Sequence, residues 1–197
     1  FGGDSILITR GRGGELSAMH NVCRPRGSRL CDEPCGNLKA IVCPYHAWTY
    51  ELDGTLRRAP RAEREESFDP AGLSLLPVAV DTWGPWLFVN PDPAAAPLAD
   101  TLGALPEIIG RSGLDFATLR YHSHHEWPIE ANWKVAIENY LECYHCPTAH
   151  KGFSKLIDVD PDRYALSVSP TFSSQIGPVR PSALQGNGKA PYVPAGD

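Results

Sequence analysis

Glycine and proline interrupt this chain too often for a long helical bundle, with 18 glycines and 19 prolines spread over 197 residues. Each proline lacks a backbone donor and each glycine weakens a regular element, so helices and strands must be short. The segments between these breaks read as strands. Residues 5–9 (Ser-Ile-Leu-Ile-Thr) and 15–23 are two, parted by the turn-forming Gly11-Arg12-Gly13-Gly14, and residues 38–42 are a third. Residues 47–52 alternate, Asp53-Gly54 supplies a hairpin turn, and Thr55-Leu56-Arg57 returns. Residues 75–80 and 86–90 add two more, broken at Trp83-Gly84-Pro85. A small all-β domain over 1–93 is the expectation.

Pro91, Pro93, Pro97 and Pro106, with clustered alanines, mark residues 94–114 as a linker containing one short helix over 102–109. A second domain, 115–197, should open with a strand over 119–129. Asn132 then starts the clearest helix, on which Trp133, Ile137, Tyr140, Leu141 and Tyr144 form one apolar stripe. Past Gly152 the pattern loosens, and Ala190–Asp197 reads as loop. The fold class expected is α+β.

Composition removes several functions. A formal charge of -5 with no basic patch argues against a nucleic-acid surface. No run approaches the roughly 18 apolar residues a spanning helix needs. Phe1-Gly2-Gly3-Asp4 lacks signal-peptide regions, which makes a cytoplasmic protein without membrane attachment the default. A start without methionine and a loop-like finish suggest a piece of a longer polypeptide. In that setting the six cysteines are expected to bind metal or be buried rather than pair.

Two groups of residues carry chemistry. Cys43-Pro-Tyr-His46 puts a thiol and an imidazole on one tight loop, and Cys23 sits at an earlier strand-to-loop junction. Thiolates and imidazoles drawn from two loops suit a Rieske centre, where two cysteines bind one iron and two histidines the other. A tetrahedral zinc on Cys23, Cys31, Cys35 and Cys43 is the competing arrangement, and plain buried thiols are the bland one. In the second group, Glu138, Glu142 and His145 fall at i, i+4 and i+7 on the expected helix. His150 follows five residues later, about 140° away on an unbroken helix. Pro147 between them should kink the backbone and let both rings meet one ion. Two histidines and a carboxylate make the facial triad of non-haem Fe(II) oxygenases. Asp158, Asp160 and Asp162 read as a solvated turn, and His122, His124 and His125 as surface histidines on the strand.

Asn21-Val-Cys23-Arg-Pro25-Arg-Gly27 and Cys43-Pro-Tyr-His46-Ala-Trp48 resemble the two Rieske boxes of ring-hydroxylating oxygenase large (alpha) subunits, and Trp83–Asn90 is similar to their closing strand. Asn132-Trp-Lys134 with Glu138-Asn-Tyr-Leu-Glu142-Cys-Tyr-His145-Cys-Pro-Thr-Ala-His150 resembles the mononuclear iron motif of the same family. The resemblance departs at one position: Pro25 stands where the first box carries histidine, and His20 is a poorly placed substitute.

The resemblance implies a Rieske [2Fe-2S] domain, holding its cluster through Cys23, Cys43 and His46, followed by the start of a catalytic domain. There His145 and His150 would bind non-haem Fe(II), with the third ligand, a carboxylate, beyond Asp197. Glu142 would be the catalytic bridging residue that joins the iron to a neighbouring subunit's cluster, with His46 as the contact on that side. Implied partners are O2, a small organic substrate, and a reductase or ferredoxin passing on electrons from NAD(P)H. A homotrimer or alpha-beta oligomer is implied as well. Glutamate at 142, in the sequence Glu-Cys-Tyr-His-Cys, is similar to the branch acting on carnitine, glycine betaine and other quaternary amines, which hydroxylates or N-demethylates. Tyr140, Tyr144, Phe153 and Phe172 are candidate faces for a cation, or simply core. Aromatic-ring dioxygenation, a Rieske-type electron carrier and a degenerate metal-binding module are the alternatives.

Overall fold

The computed structural model describes residues 3–184, which divide into two compact units between Leu98 and Ala99. The loop expected over 190–197 lies outside the described residues.

The first unit consists of two antiparallel sheets. One has the order β1 (Ile6–Arg10), β2 (Leu16–His20), β6 (Pro77–Trp83), β7 (Trp86–Asn90). The other joins β3 (Ile41–Val42), β4 (Thr49–Tyr50) and β5 (Leu56–Arg58). These strands lie within a few residues of where the sequence predicts them: β2, β3 and β4 are shorter, β1 and β5 are shifted by one residue, β6 starts at Pro77 and runs on to Trp83, and residues 38–40 fall outside β3. Gly84 at φ 58° with Pro85 closes the β6–β7 hairpin, pairing Trp83 with Trp86.

At the other predicted turn, Gly54 takes φ 87° and the Asp53 carboxylate accepts the Thr55 N–H at 2.9 Å. A side chain at Gly54 would also meet Met19 Sδ at 3.2 Å and Leu75 Cβ at 3.3 Å, so the turn is pressed against the core. That core is Met19, Cys23, Leu30, Ile41, Cys43, Tyr50 and Leu75, all buried. It lies under the two cysteine-bearing loops and fixes where they start.

Where a single helix is expected over 102–109, residues 98–111 form α1 (Leu98–Leu102) and α2 (Leu105–Arg111), separated at Gly103 with φ 51°. Residues 119–129 form no strand among the described residues. The segment is exposed, and among the described residues it pairs with no strand. Asn132 does cap α3 (Trp133–Leu141), its side chain accepting the Lys134 N–H at 3.0 Å. The apolar stripe of α3 is solvent-facing at Trp133, Ile137 and Tyr140, and Ile137 and Leu141 line a shallow groove with Pro170 and Phe172. Two short helices, α4 (Cys146–Ala149) and α5 (Lys151–Leu156), precede the hairpin of β8 (Ala165–Val168) and β9 (Ser173–Ile176) and a last turn, α6 (Pro181–Leu184).

Two further expectations fail, each for a clear reason. Asp158 is not part of a solvated turn. It is buried and takes Arg163 Nη1 at 2.6 Å and Arg180 Nη2 at 2.9 Å, whereas Asp160 and Asp162 are exposed as expected. Cys143 and Cys146 are joined to each other, because three residues of separation across a turn bring their Cα atoms to 5.1 Å. Cys23, Cys31, Cys35 and Cys43 are free.

Asp158→Ala leaves two guanidinium groups without their buried acceptor and is expected to cost about 2 kcal/mol, the usual scale for hydrogen bonds to charged groups; the shift in urea midpoint measures it. In protein isolated and unfolded without reductant, alkylation should label Cys23, Cys31, Cys35 and Cys43 and leave Cys143 and Cys146 in one linked peptide. Peptide mass spectrometry before and after reduction decides that pairing.

Candidate metal centres

The first candidate centre is built from two loops of matching backbone. In one, the Cys23 N–H donates to the Ser28 carbonyl at 2.7 Å and the Gly27 N–H to the Cys23 carbonyl at 3.0 Å. In the other, the Cys43 N–H donates to the Trp48 carbonyl at 2.8 Å and the Ala47 N–H to the Cys43 carbonyl at 3.0 Å. Gly27 and Ala47, four residues past each cysteine, both take the left-handed conformation, at φ 66° and 57°. For alanine that is a strained choice, made because the loop must close there.

Both cysteines belong to the buried core cluster and are nearly inaccessible. Burial pushes the Cys23 thiol up, against a 3.3 Å contact from its Sγ to the Tyr50 hydroxyl. Burial also disfavours charge on Cys43, but the Tyr45 and His46 backbone N–H groups outweigh it and hold that thiol below its ordinary value. Burial and then the Cys23 hydrogen bond push the Tyr50 hydroxyl up, so it stays neutral and available as a donor.

The outer rim of this centre is different in character. His46 is exposed and stacks on Tyr45 with ring centroids 4.0 Å apart, and Pro25, also exposed, occupies the opposing loop. His20 follows the buried Met19 on β2, so its side chain points to the opposite face of the strand. The four-cysteine zinc arrangement does not form. Cys35 is exposed, and among the described residues no three His, Cys, Asp or Glu side chains converge as a single ion requires.

Asn21 is the residue that sequence reasoning missed. Its buried Oδ1 accepts from the Leu30 and Cys31 N–H groups at 3.2 and 2.9 Å, and its Nδ2 donates to Ser5 Oγ at 3.1 Å and the Cys31 carbonyl at 2.6 Å. A polar residue two positions before a core cysteine, at the end of a strand, was the available signal.

At the second candidate centre the expected helix stops early. Glu142 is the extended C-cap of α3 and His145 precedes α4, so Glu138, Glu142 and His145 do not share one continuous helix. Pro147 lies in the first turn of α4, where its missing N–H is no loss, and it begins that helix instead of kinking a longer one. His150 lies between α4 and α5 with φ −116° and ψ 59°, which breaks the helical path.

The result brings both rings together. His145 Nε2 and His150 Nε2 stand 3.1 Å apart, with ring centroids at 5.0 Å. Glu142 Oε2 lies 3.0 Å from His145 Nδ1, and hydrogen bonding from that imidazole holds the Glu142 carboxyl below the usual carboxylate range. A neutral His145 that donates its Nδ1–H to Glu142 leaves its Nε2 lone pair facing His150, the arrangement usual for metal-binding histidines. Glu138 is exposed and takes no part. His124 bonds Glu126 at 2.8 Å and His125 stacks on Trp127, both in the open. Tyr140 and Tyr144 are 77% and 95% exposed, so they are not core residues, and Phe172 is half-buried.

Comparison with known proteins matches both units. Residues 1–80 fit the model of the Rieske [2Fe-2S] domain, and residues 116–190 that of the ring hydroxylating alpha subunit catalytic domain. The carnitine monooxygenase oxygenase subunit of Escherichia coli K12 is 37% identical over 91% of this chain and 48% of its own length. The glycine betaine monooxygenase oxygenase subunit of Chromohalobacter salexigens is 41% identical over 81% of this chain and 36% of its own. A crystal structure of a quaternary ammonium Rieske monooxygenase in complex with L-carnitine superposes with a TM-score of 0.75 at 36% identity, over 89% of this chain and 49% of that one. The chain thus spans at most about half the length of these relatives. With a Rieske model and a catalytic-domain model matched in sequence order, the chain belongs to the Rieske non-haem iron oxygenase alpha-subunit family.

Proposed function

We propose that this chain is the Rieske and iron-binding portion of a terminal oxygenase component. That component would use O2 and electrons from a reductase or ferredoxin, drawn ultimately from NAD(P)H, to hydroxylate or N-demethylate a quaternary amine. The observation that carries this reading is the convergence of His145 and His150, with Glu142 behind His145, in the chain that also carries two cysteine loops. An electron carrier has no need of that second pair. We assign 1–93 to the Rieske domain, 94–114 to a linker and 115–197 to part of the catalytic domain. A homotrimeric or alpha-beta assembly and a cytoplasmic location belong to the same proposal, carried by the family resemblance.

Family membership implies a Rieske-type cluster and a mononuclear iron. The second site's donors fit an iron ion, supplying two imidazole nitrogens that face each other. Iron bound there would supply O2 activation. Glu142 orients His145 by accepting its Nδ1–H, and as a half-exposed carboxylate it is also the group we propose to contact a neighbouring subunit. The first site's donors do not complete a Rieske centre, because Pro25 offers no atom to iron.

A quaternary amine is favoured by the relatives' substrates and by Tyr140 and Tyr144, whose open ring faces can each contribute about 0.5–2 kcal/mol to a bound cation.

Removing either imidazole by His145→Ala or His150→Ala should abolish stoichiometric Fe(II) binding at this site, as read by calorimetry. Glu142→Gln should retain iron with affinity weakened by about tenfold or more, the scale for a ligand-orienting partner. Unchanged affinity in the histidine variants would reject the site. For the substrate, the chain carried to the full length of its relatives, with Pro25→His and a compatible reductase and NADH, is offered betaine-type and benzoate-type compounds in parallel. Amine turnover coupled to O2 uptake is expected. Arene diols without amine products would establish the ring-dioxygenase reading instead.

A further inference from the structure

The imidazoles of His145 and His150 meet only because the chain folds back between them. Were residues 145–156 one helix, Cys146 and Ser154 would stand about 12 Å apart along its axis, and the two rings would diverge by about 140°. Instead the backbone breaks at His150, with φ −116° and ψ 59°, and the Ser154 hydroxyl donates to the Cys146 carbonyl at 2.9 Å. That bond joins α5 to α4 across the break. A serine within a helix ordinarily returns its hydroxyl to the carbonyl four residues back. Here the carbonyl in that place, His150, takes the Ser154 N–H at 2.9 Å, and the hydroxyl reaches past it to Cys146.

The Cys146 carbonyl therefore serves two donors, the His150 N–H at 2.9 Å and the Ser154 hydroxyl. The first sets where His150 leaves α4, and the second sets the angle at which α5 departs. Ser154 is also anchored from behind. Its carbonyl takes Arg180 Nε at 3.0 Å, the Arg180 N–H donates to the Leu156 carbonyl at 2.8 Å, and Arg180 Nη2 is held by the buried Asp158 at 2.9 Å. A hydroxyl fixed in this way can hold an angle, whereas one on a loose helix would only follow it.

We propose that Ser154 is a positioning residue for the histidine pair: its hydroxyl holds the α4–α5 angle that keeps His145 Nε2 and His150 Nε2 3.1 Å apart, and so sets the affinity of the pair for Fe(II). Its bonds go to the Cys146 and His150 carbonyls, so it acts through the backbone that carries the two rings. The affinity part rests on the iron reading of this site, while the ring geometry needs no metal.

The test uses the whole chain with Ser154→Ala, Ser154→Thr and Ser169→Ala. Ser169 is the control, because its hydroxyl also donates to a carbonyl, that of Phe172 at 2.9 Å, but in the turn between β8 and β9. In the metal-free proteins the ring nitrogens of His145 and His150 are followed by long-range proton–nitrogen NMR, with His150→Ala marking the signals of a His145 that has lost its neighbour. Fe(II) affinity is then measured by calorimetry. Ser154→Ala is expected to move the His145 signals toward those of His150→Ala and to weaken Fe(II) binding about tenfold, the scale for a group that orients a ligand. Ser154→Thr, which keeps the hydroxyl, and Ser169→Ala should match the parent in both readouts. Ring signals that stay put in Ser154→Ala, or that move as far in Ser154→Thr or Ser169→Ala, would overturn the proposal. Displaced rings with unchanged affinity would overturn its claim on iron. If the parent itself binds no Fe(II), the iron reading of the site fails, and the ring signals alone decide whether Ser154 positions the pair.

Discussion

The burial of Cys23 and Cys43 in one core cluster organises the first unit. Each cysteine begins a loop closed by its own backbone bonds, so burying both in that cluster fixes where the two loops leave the core. Met19 and Ile41 at essentially zero exposure supply the apolar floor, and Tyr50 supplies the polar partner that a buried sulfur pair needs. The Asp53–Gly54 turn is pressed onto the same floor, since Gly54 has Met19 and Leu75 at contact distance. Sheet pairing, turn geometry and the candidate centre thus share one cluster of side chains. A large-to-small change at Met19 or Ile41 would act on all three together, at the several-kcal/mol scale of core truncations.

In the second unit the equivalent constraint is a charge cluster, not an apolar one. Asp158 follows α5 and binds Arg163 and Arg180, while Arg180 also donates to the Ser154 carbonyl at 3.0 Å. The Asp158 N–H reaches the Pro178 carbonyl, and Ile157 bridges to Val179. The far end of α5 is therefore tied to residues 178–180, and its near end begins at His150. Held at one end by Asp158 and at the other by the hydrogen bond from the His150 N–H to the Cys146 carbonyl, α5 has little freedom to carry His150 away from His145. The imidazole pair depends on a carboxylate eight residues downstream that touches neither ring.

What could be read from sequence divides by range. Features set within a few residues were legible: Asp53-Gly54, Gly84-Pro85, the Asn132 cap and the two cysteine loops each rest on local chemistry. Features that need a partner from elsewhere were not. Residues 119–129 read as a strand, but a strand exists only when another supplies its hydrogen bonds. Spacing grouped Glu138, Glu142 and His145 on one helix, yet α3 ends at Leu141, so Glu142 meets His145 across a turn. Asp158 looked like one carboxylate in an acidic turn because Arg180, its partner, lies 22 residues away. The Cys143–Cys146 pairing was local and still missed, because the argument from compartment outweighed a three-residue separation that permits a bridge.

The two candidate centres fall short of a full ligand set in different physical ways. At the histidine pair, the two donors come from one short stretch and a third must arrive from a separate part of the fold, so completing the set is a question of tertiary placement. At the cysteine loops the closing backbone bonds are in place, and the shortfall is local: Pro25 supplies neither an imidazole nor the N–H that Tyr45 offers the Cys43 sulfur in the matched loop. A loop closed entirely by backbone hydrogen bonds can lose an imidazole at Pro25 without losing its shape, because the groups that hold the loop are not the groups that would hold iron. Cys23 and Cys43 have no such separation: the sulfurs that pack the core are also the thiols that would bind iron. Substitution at the rim therefore changes the chemistry with little effect on stability, while substitution at the sulfurs changes both, and the fold of the first unit persists even where the family's ligand pattern does not.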